Sequence, residues 1–256
     1  MIPKVIHYCW FGRGEKSNLM KKCIKSWTKY CPDYEIIEWN EDNFDINQNT
    51  FVKQAYEFKK WAFVTDYVRL YVLDKYGGIY MDTDVELVKN IDDFLKHKAF
   101  SGFENPRSVP TGIIAAQKNH PVIKKWFSWY NDREFIVNGK PWHEPNTKFM
   151  TQILLDDGLV LNNTYQEIAD IALYPQTYFC PLFTDMKKTC KTKNTHAIHH
   201  FTSSWRSKDE MKKFAKAKRH NTWWYHLYED IKVFPQRTAR KIFGDETIER
   251  IKNKLR

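Results

Sequence analysis

Residues 62–84 read AFVTDYVRLYVLDKYGGIYMDTD. The first part predicts a helix over residues 61–76, because apolar side chains dominate it and two glycines, which favour a helix C-terminus, follow it. The next residues, IYM, predict a short apolar strand that runs directly into Asp82 and Asp84. A buried helix followed at once by a buried strand indicates an α/β domain.

The predicted helix carries a charged pair. Between residues 61 and 73 only Thr65, Asp66 and Arg69 are polar, so the helix must be buried. Asp66 and Arg69 are three residues apart and share one helix face. Buried charges need partners, which leaves two interpretations. The pair is a structural ion pair, or Asp66 holds sugar or ribose hydroxyls while Arg69 donates to a carboxylate, phosphate or sugar oxygen.

The two aspartates after the strand suggest a metal site on one condition. Two carboxylates at i and i+2 after a buried strand can both approach one ion if the strand ends in a turn, so we expect the strand to break at Asp82 and Asp84. Carboxylate oxygens suit Mg²⁺ or Mn²⁺ bound to a phosphate-bearing ligand. Solvated aspartates in a turn are the alternative, because the D-x-D pattern is short and common.

The flanking sequence supports a sheet built from alternating strands and helices. Residues 4–10 (KVIHYCW) predict a first strand, and Ser17 is placed to cap a helix through about Tyr30. Further elements are predicted as strands at 34–39, 79–81, 85–88, 99–103 and 112–117, and as helices at 50–60 and after His120-Pro121.

Several of these motifs together resemble glycosyltransferase family 32, which contains the yeast initiating α-1,6-mannosyltransferase and many bacterial capsule-sugar transferases. The same core is similar to that of the large clostridial glucosylating toxins. The matching elements, in order, are IPKVIHYCWFG at 2–12, the D-x-x-R helix, G-G-I-Y-x-D-x-D at 77–84, His-Pro at 120–121 and His-His-Phe-x-x-Ser-Trp at 199–205. The resemblance implies a GT-A fold, a UDP- or GDP-sugar donor, a divalent metal and retention of anomeric configuration.

The resemblance also implies roles for particular residues. Asp82 and Asp84 match the D-x-D that binds the metal, with Asp84 expected as the direct ligand. Asp66 and Arg69 would serve the donor sugar. Trp10 is expected to stack on the nucleobase of the donor, and Trp205 is expected to contact the diphosphate. His200 is expected to complete the metal shell with assistance from Ser203, although the adjacent His199 is an alternative ligand.

Composition and charge set the outer limits of this interpretation. The chain has 256 residues and 42% hydrophobic content, enough for one globular domain and a small appendage. The net charge of +10 lies mostly after residue 205, where 15 Lys or Arg face 7 Asp or Glu. We therefore predict a GT-A catalytic domain at 1–205 and a basic helical extension at 206–256.

The location and partners follow from the same features. No apolar run reaches a membrane span, no secretory leader is evident, and five cysteines without C-x-x-C spacing predict reduced thiols, which favours a cytoplasmic protein. The basic tail predicts docking on an anionic membrane surface near the acceptor, a polysaccharide or lipid-linked oligosaccharide.

Two other classes fit less well. A haloacid-dehalogenase phosphohydrolase also has a D-x-D after a strand, but it needs Thr where this chain has Glu86. A nucleic-acid-binding protein would use the basic tail, yet nothing else in the sequence resembles such a module, so no nucleic-acid partner is expected.

Overall fold

The structure is a computed structural model that describes residues 1–183 and 188–202. These residues belong to one compact unit, Met1–Thr202. The predicted extension at 206–256 lies outside the described residues. The helices are α1 (Asn18–Tyr30), α2 (Thr50–Glu57), α3 (Trp61–Tyr76), α4 (Pro121–Ser128), α5 (Asn146–Asp156) and α6 (Gln176–Phe179). The strands are β1 (Val5–Cys9), β2 (Glu35–Trp39), β3 (Gly78–Met81), β4 (Val85–Leu87), β5 (Ala99–Gly102), β6 (Ile113–Ala116), β7 (Ile136–Val137), β8 (Lys140–Pro141), β9 (Gln166–Ile168), β10 (Ile171–Tyr174), β11 (Leu182–Phe183), β12 (Lys188–Thr189) and β13 (Ala197–His199).

A seven-stranded sheet forms the centre of the described unit, in the order β2-β1-β3-β6-β5-β10-β9. β1 runs parallel to β2 and β3, and β5 runs parallel to β10. β6 lies antiparallel between β3 and β5, so β3 and β5 point the same way. Five parallel strands therefore end at one edge of the sheet, called here the carboxyl edge, where ligands bind in open α/β sheets. The predicted α/β fold class is confirmed.

Local signals placed the first elements correctly. α1 begins after Ser17, whose hydroxyl accepts a hydrogen bond from the amide of Met20 at 3.3 Å, and it ends at Tyr30, before Pro32. The predicted strands at 4–10 and 34–39 are β1 and β2, paired in register from Val5 opposite Glu35. An N-cap hydroxyl and a following proline are local features, and they were sufficient here.

α3 is buried, as its apolar composition predicted. Val64, Val68, Leu70 and Val72 have no exposed surface, and the helix packs between the sheet and helices α2 and α4. Two glycines with φ of +71° and +102° then turn the chain into β3. A Cβ on the second, Gly78, would lie 2.8 Å from the carbonyl oxygen of Val5, so β3 can start beside β1 only with glycine there.

Two further observations concern the cysteines and the membrane. All five cysteines are free thiols in this structure, and four of them are buried. Within residues 1–183 and 188–202, no helix has the length and apolar character needed to cross a bilayer.

Candidate active site

The acidic pair lies in a turn, which is the condition that a shared metal site required. β3 ends at Met81 and β4 begins at Val85. The amide of Val85 donates to the carbonyl of Asp82 at 2.9 Å, and the amide of Asp82 donates to the carbonyl of Gly112 at 2.9 Å. One ligand atom each from Asp82, Asp84 and His199 lie within 4.8 Å of one another. The turn therefore places both carboxylates close to each other and to an imidazole.

His199 reaches this position through a small second sheet. β13 pairs antiparallel with β4 and places His199 opposite Val85, the residue after Asp84. The imidazole Nε2 lies 3.3 Å from Asp84 Oδ1 and 3.9 Å from Asp82 Oδ2. Burial acts to lower the pKa of His199, but the hydrogen bond to Asp84 raises it well above its usual value.

The geometry corrects the prediction that His200 completes the metal shell. The Nε2 of His200 lies 2.9 Å from Glu86 Oε2, away from the acidic pair. Side chains alternate in direction along an extended chain, so only one of two adjacent histidines can face the acidic pair. The register of β13 against β4 selects His199.

Asp84 is held by three contacts, one from His199 and two from Thr202. Its Oδ2 accepts hydrogen bonds from both the amide and the hydroxyl of Thr202, each at 2.8 Å. Burial favours the neutral carboxyl, but the hydrogen bonds from His199 and Thr202 hold the pKa of Asp84 below its usual range. Asp84 is therefore a fixed carboxylate. Thr202 was not identified from the sequence, because no local pattern indicates a residue that bonds across the fold.

Arg69 joins the helix pair to the acidic pair. Its Nη2 lies 3.1 Å from Asp66 Oδ1 and 3.2 Å from Asp82 Oδ1, and its guanidinium packs 4.8 Å from the ring centre of Tyr80. The Tyr80 hydroxyl donates to Asp82 Oδ1 at 3.0 Å. The two interpretations of the helix pair are therefore not exclusive: Asp66 and Arg69 pair with each other, and the pair also contacts the acidic turn.

Asp66 keeps part of its carboxylate available. Burial raises the pKa of Asp66 to about 6, although the nearby Arg69 acts to lower it. In the part of the chain that the structure describes, Arg69 is its only ion-pair partner. A carboxylate with one free oxygen can accept hydrogen bonds from ligand hydroxyls.

The residues at the turn fit a divalent cation. Two carboxylates and one imidazole are a donor set that Mn²⁺ accepts, and the imidazole suits Mn²⁺ better than Mg²⁺. Gly112 adds a steric argument, because a Cβ there would lie 2.9 Å from Asp82 Oδ2 and 3.0 Å from the His199 ring. Glycine at this position thus leaves the two ligand groups unobstructed.

The two histidines give a direct test of the corrected assignment. We expect His199→Gln to abolish the thermal stabilisation that Mn²⁺ gives to the protein, whereas His200→Gln should retain most of it. Ligand at about 100 times its Kd stabilises a protein by about 2.7 kcal/mol, which is a measurable shift in Tm. The reverse result, with His200→Gln losing the stabilisation and His199→Gln keeping it, would restore the assignment made from the sequence.

Trp10 follows β1 at the same carboxyl edge. Its indole Nε1 donates to the carbonyl of Gly14 at 2.6 Å, and the Lys16 ammonium lies 5.2 Å from its ring centre. The residue is partly exposed rather than a core tryptophan, so its ring is accessible to a ligand. Its role in base stacking stays a prediction. Ser203 and Trp205 lie outside the described residues.

Comparison with known proteins indicates a class for this site. Residues 17–101 match the family described as "Glycosyltransferase sugar-binding region containing DXD motif". The chain is 30% identical over 136 residues to the mannosyl phosphorylinositol ceramide synthase CSH1 of Saccharomyces cerevisiae, covering 49% of this chain and 34% of that protein. It is 27% identical over 221 residues to an uncharacterized glycosyltransferase of Acanthamoeba polyphaga mimivirus, covering 80% and 84% of the two chains.

A solved structure, the PaToxG glycosyltransferase, is similar to 61% of this chain over 70% of its own length, with 20% identity and a TM-score of 0.44. The chain spans only about a third of the yeast relative that it matches. The matched family segment contains Asp66, Arg69, Asp82 and Asp84, whereas His199 lies beyond it. The chain is therefore similar to D-x-D glycosyltransferases in the segment that supplies four of its candidate site residues.

Proposed function

We propose that the protein is a metal-dependent, retaining glycosyltransferase of GT-A type. It would move a hexose or N-acetylhexosamine from a UDP- or GDP-sugar to a polysaccharide or lipid-linked oligosaccharide. The observation that carries the proposal is the convergence of Asp82, Asp84 and His199 at the carboxyl edge, joined to Asp66 through Arg69. The similarity of residues 17–101 to a D-x-D sugar-binding region supports it.

The chemical task is to stabilise a leaving nucleoside diphosphate. A divalent cation held by Asp84, Asp82 and His199 would supply positive charge where the diphosphate gains negative charge. Arg69 is fixed by two carboxylates and by the Tyr80 ring, so its charge needs no rearrangement during the reaction. Preorganised charge of this kind lowers a barrier more than a mobile side chain does.

The remaining residues orient the donor. Asp66, at the buried end of the same cluster, is suited to accept hydrogen bonds from sugar hydroxyls. Trp10 offers a flat, partly exposed ring for the nucleobase, and the Lys16 ammonium beside it is paired with Glu38 at 2.8 Å. Trp10 and Lys16 lie at the carboxyl edge, which is the expected location for a nucleotide in an α/β sheet.

The acceptor is proposed on a different basis. A lipid-linked acceptor agrees with the yeast relative, whose name states that it synthesises a mannosylated phosphorylinositol ceramide. The positive charge of the chain after residue 205 agrees with an enzyme that acts at an anionic membrane surface. A cytoplasmic-side enzyme, peripheral to the membrane, is the location that we propose.

A donor screen tests the proposed function. Purified protein should consume one or two members of a panel of UDP- and GDP-sugars in the presence of Mn²⁺, and none of them in excess chelator. Asp84→Asn protein serves as the inactive control. If the folded protein consumes no nucleotide sugar and instead releases phosphate from phosphomonoesters, or binds oligonucleotides in a salt-sensitive manner, one of the two other classes replaces the proposal.

Membrane docking has a separate test in vesicle sedimentation. The segment 212–219 carries five basic residues, Lys212, Lys213, Lys216, Lys218 and Arg219. Each basic residue near an anionic leaflet contributes about 1 kcal/mol, so we expect salt-sensitive binding to anionic vesicles that falls sharply when all five become Gln. Equal pelleting with neutral vesicles, or no pelleting at low salt, would remove the membrane from the proposal.

A further inference from the structure

Glu104 is a further carboxylate at the carboxyl edge, with no role in the metal set or in the Asp66–Arg69 pair. It follows β5, which is separated from β3 by β6 alone. Its backbone is fixed on both sides, because its amide donates to the carbonyl of Ser108 at 2.9 Å and the Gln176 side chain donates to its carbonyl at 3.1 Å. The position of Glu104 is therefore set by the sheet and by a tight turn.

The charges that act on Glu104 are those of the candidate site. Burial raises the pKa of Glu104, and the neighbouring charges of His199, Asp82 and Arg69 also act on it. Glu104 is not among the three residues whose ligand atoms lie within 4.8 Å of one another. Glu104 thus lies close enough to feel the charges of the acidic turn without belonging to the same metal position.

Glu104 also differs from the other acidic residues in lacking a cation. Within the described ranges, the only hydrogen bond to its carboxylate comes from the Ser108 hydroxyl at 3.3 Å, and it forms no ion pair. Asp66 and Asp82 contact Arg69, and Asp84 contacts His199. The Glu104 side chain is partly exposed, so its second carboxylate oxygen is free to accept hydrogen bonds from a ligand.

Two other polar atoms near the acidic turn have a weak partner. Thr111 Oγ1 and His199 Nδ1 are buried without a conventional hydrogen bond among the described residues, and the Cys180 thiol interacts with both side chains. Both border Gly112: Thr111 precedes it in the chain, and a Cβ on Gly112 would lie 3.0 Å from the His199 ring. A thiol is a weak hydrogen-bond partner, so both atoms keep the capacity to bond a ligand or water.

Distance separates a sugar-binding role from a metal-binding role. Strands in a sheet lie about 4.8 Å apart, so β3 and β5, with β6 between them, are about 10 Å apart. That separation accommodates one sugar ring between a diphosphate bound near Asp84 and the carboxylate of Glu104. Glu104 is not among the residues whose ligand atoms lie within 4.8 Å of one another, so it does not share the candidate cation position with Asp84.

We propose that Glu104 contacts the transferred sugar and stabilises the positive charge that develops at its anomeric carbon. The proposal rests on the proposed function. As the bond between the anomeric carbon and the phosphate oxygen lengthens, the sugar gains oxocarbenium character, and a carboxylate beside it lowers the barrier. Glu104 is then a catalytic residue that acts on the sugar, while Asp84 acts on the leaving group.

The test compares Glu104→Gln with Glu35→Gln, which removes an exposed carboxylate from β2. We expect Glu104→Gln to lower kcat by about 100-fold or more, with donor KM within about threefold and Mn²⁺ stabilisation unchanged. Its Tm should stay level, because the Glu104 carboxylate is partly exposed and forms no ion pair among the described residues. Glu104→Asp keeps the charge but withdraws it by one methylene, so its kcat should lie between those of the wild type and Glu104→Gln.

Three outcomes would overturn the inference. They are a kcat for Glu104→Gln within about threefold of the wild type, loss of Mn²⁺ stabilisation in that variant, and an effect confined to KM. The wild-type measurement separates the two proposals. If wild-type protein consumes no nucleotide sugar, both the proposed function and the proposed role of Glu104 fail. If the wild type is active and Glu104→Gln is equally active, only the proposed role of Glu104 fails.

Discussion

Asp84→Asn is expected to lower sugar transfer by about 1,000-fold or more. Asp84 is the carboxylate at the centre of the acidic turn, bonded to His199 and twice to Thr202. Asparagine keeps the shape of the side chain and one oxygen for Thr202, but it removes the negative charge that holds a divalent cation. Removing a single group that stabilises developing charge commonly lowers the rate of an enzyme by roughly 100- to 1,000-fold. Loss of the cation lowers the rate further. The measurement is Mn²⁺-dependent transfer from the donor found in the screen.

The control for this variant is Asp93→Asn, which makes the same chemical change at an exposed position away from the turn. Its activity should equal that of the wild type. Excess chelator should reproduce the Asp84→Asn defect in wild-type protein, and added Mn²⁺ should reverse it. Circular dichroism should show both variants folded. Full turnover by Asp84→Asn, or by wild-type protein in excess chelator, would contradict the metal assignment.

The elements around the acidic turn could be predicted because their signals are local. The apolar stretch, the glycine pair and the aspartates lie within 23 consecutive residues, and the structure contains α3, β3 and a turn in that order. Periodicity and glycine preferences act over a few residues, so the sequence alone was sufficient there. The same reasoning succeeded for the Ser17 cap of α1.

The residues that prediction missed depend on contacts between distant segments. His199 rather than His200 faces the acidic turn because β13 pairs with β4 in one register, and those strands are more than a hundred residues apart. A shift of one residue would reverse the choice. Glu104 and Thr202 pose the same difficulty, since their positions follow from strand order and from a long-range hydrogen bond that no short pattern encodes.

Asp66→Asn is expected to lower kcat by about 100-fold while the free energy of unfolding changes little. The asparagine oxygen can still accept a hydrogen bond from Arg69, so the buried contact at 3.1 Å is retained in shape. The charge is lost, however, and Arg69 is then balanced by Asp82 alone. We expect the guanidinium to draw Asp82 away from the acidic turn and the sugar hydroxyls to lose a charged acceptor. Steady-state kinetics measure the first effect and denaturant unfolding measures the second.

Asp74→Asn is the matched control, because Asp74 lies on α3 as well, eight residues and therefore about 12 Å along the helix from Asp66. It should leave kcat unchanged. A purely structural ion pair makes the opposite prediction, since removing one partner of a buried pair costs about 3 to 5 kcal/mol and the surviving folded protein would turn over normally. A large loss of stability with normal kcat would therefore assign Asp66 to the fold. A large loss of kcat with normal stability would assign it to the donor sugar, and the position of Arg69 between Asp66 and Asp82 favours that second result.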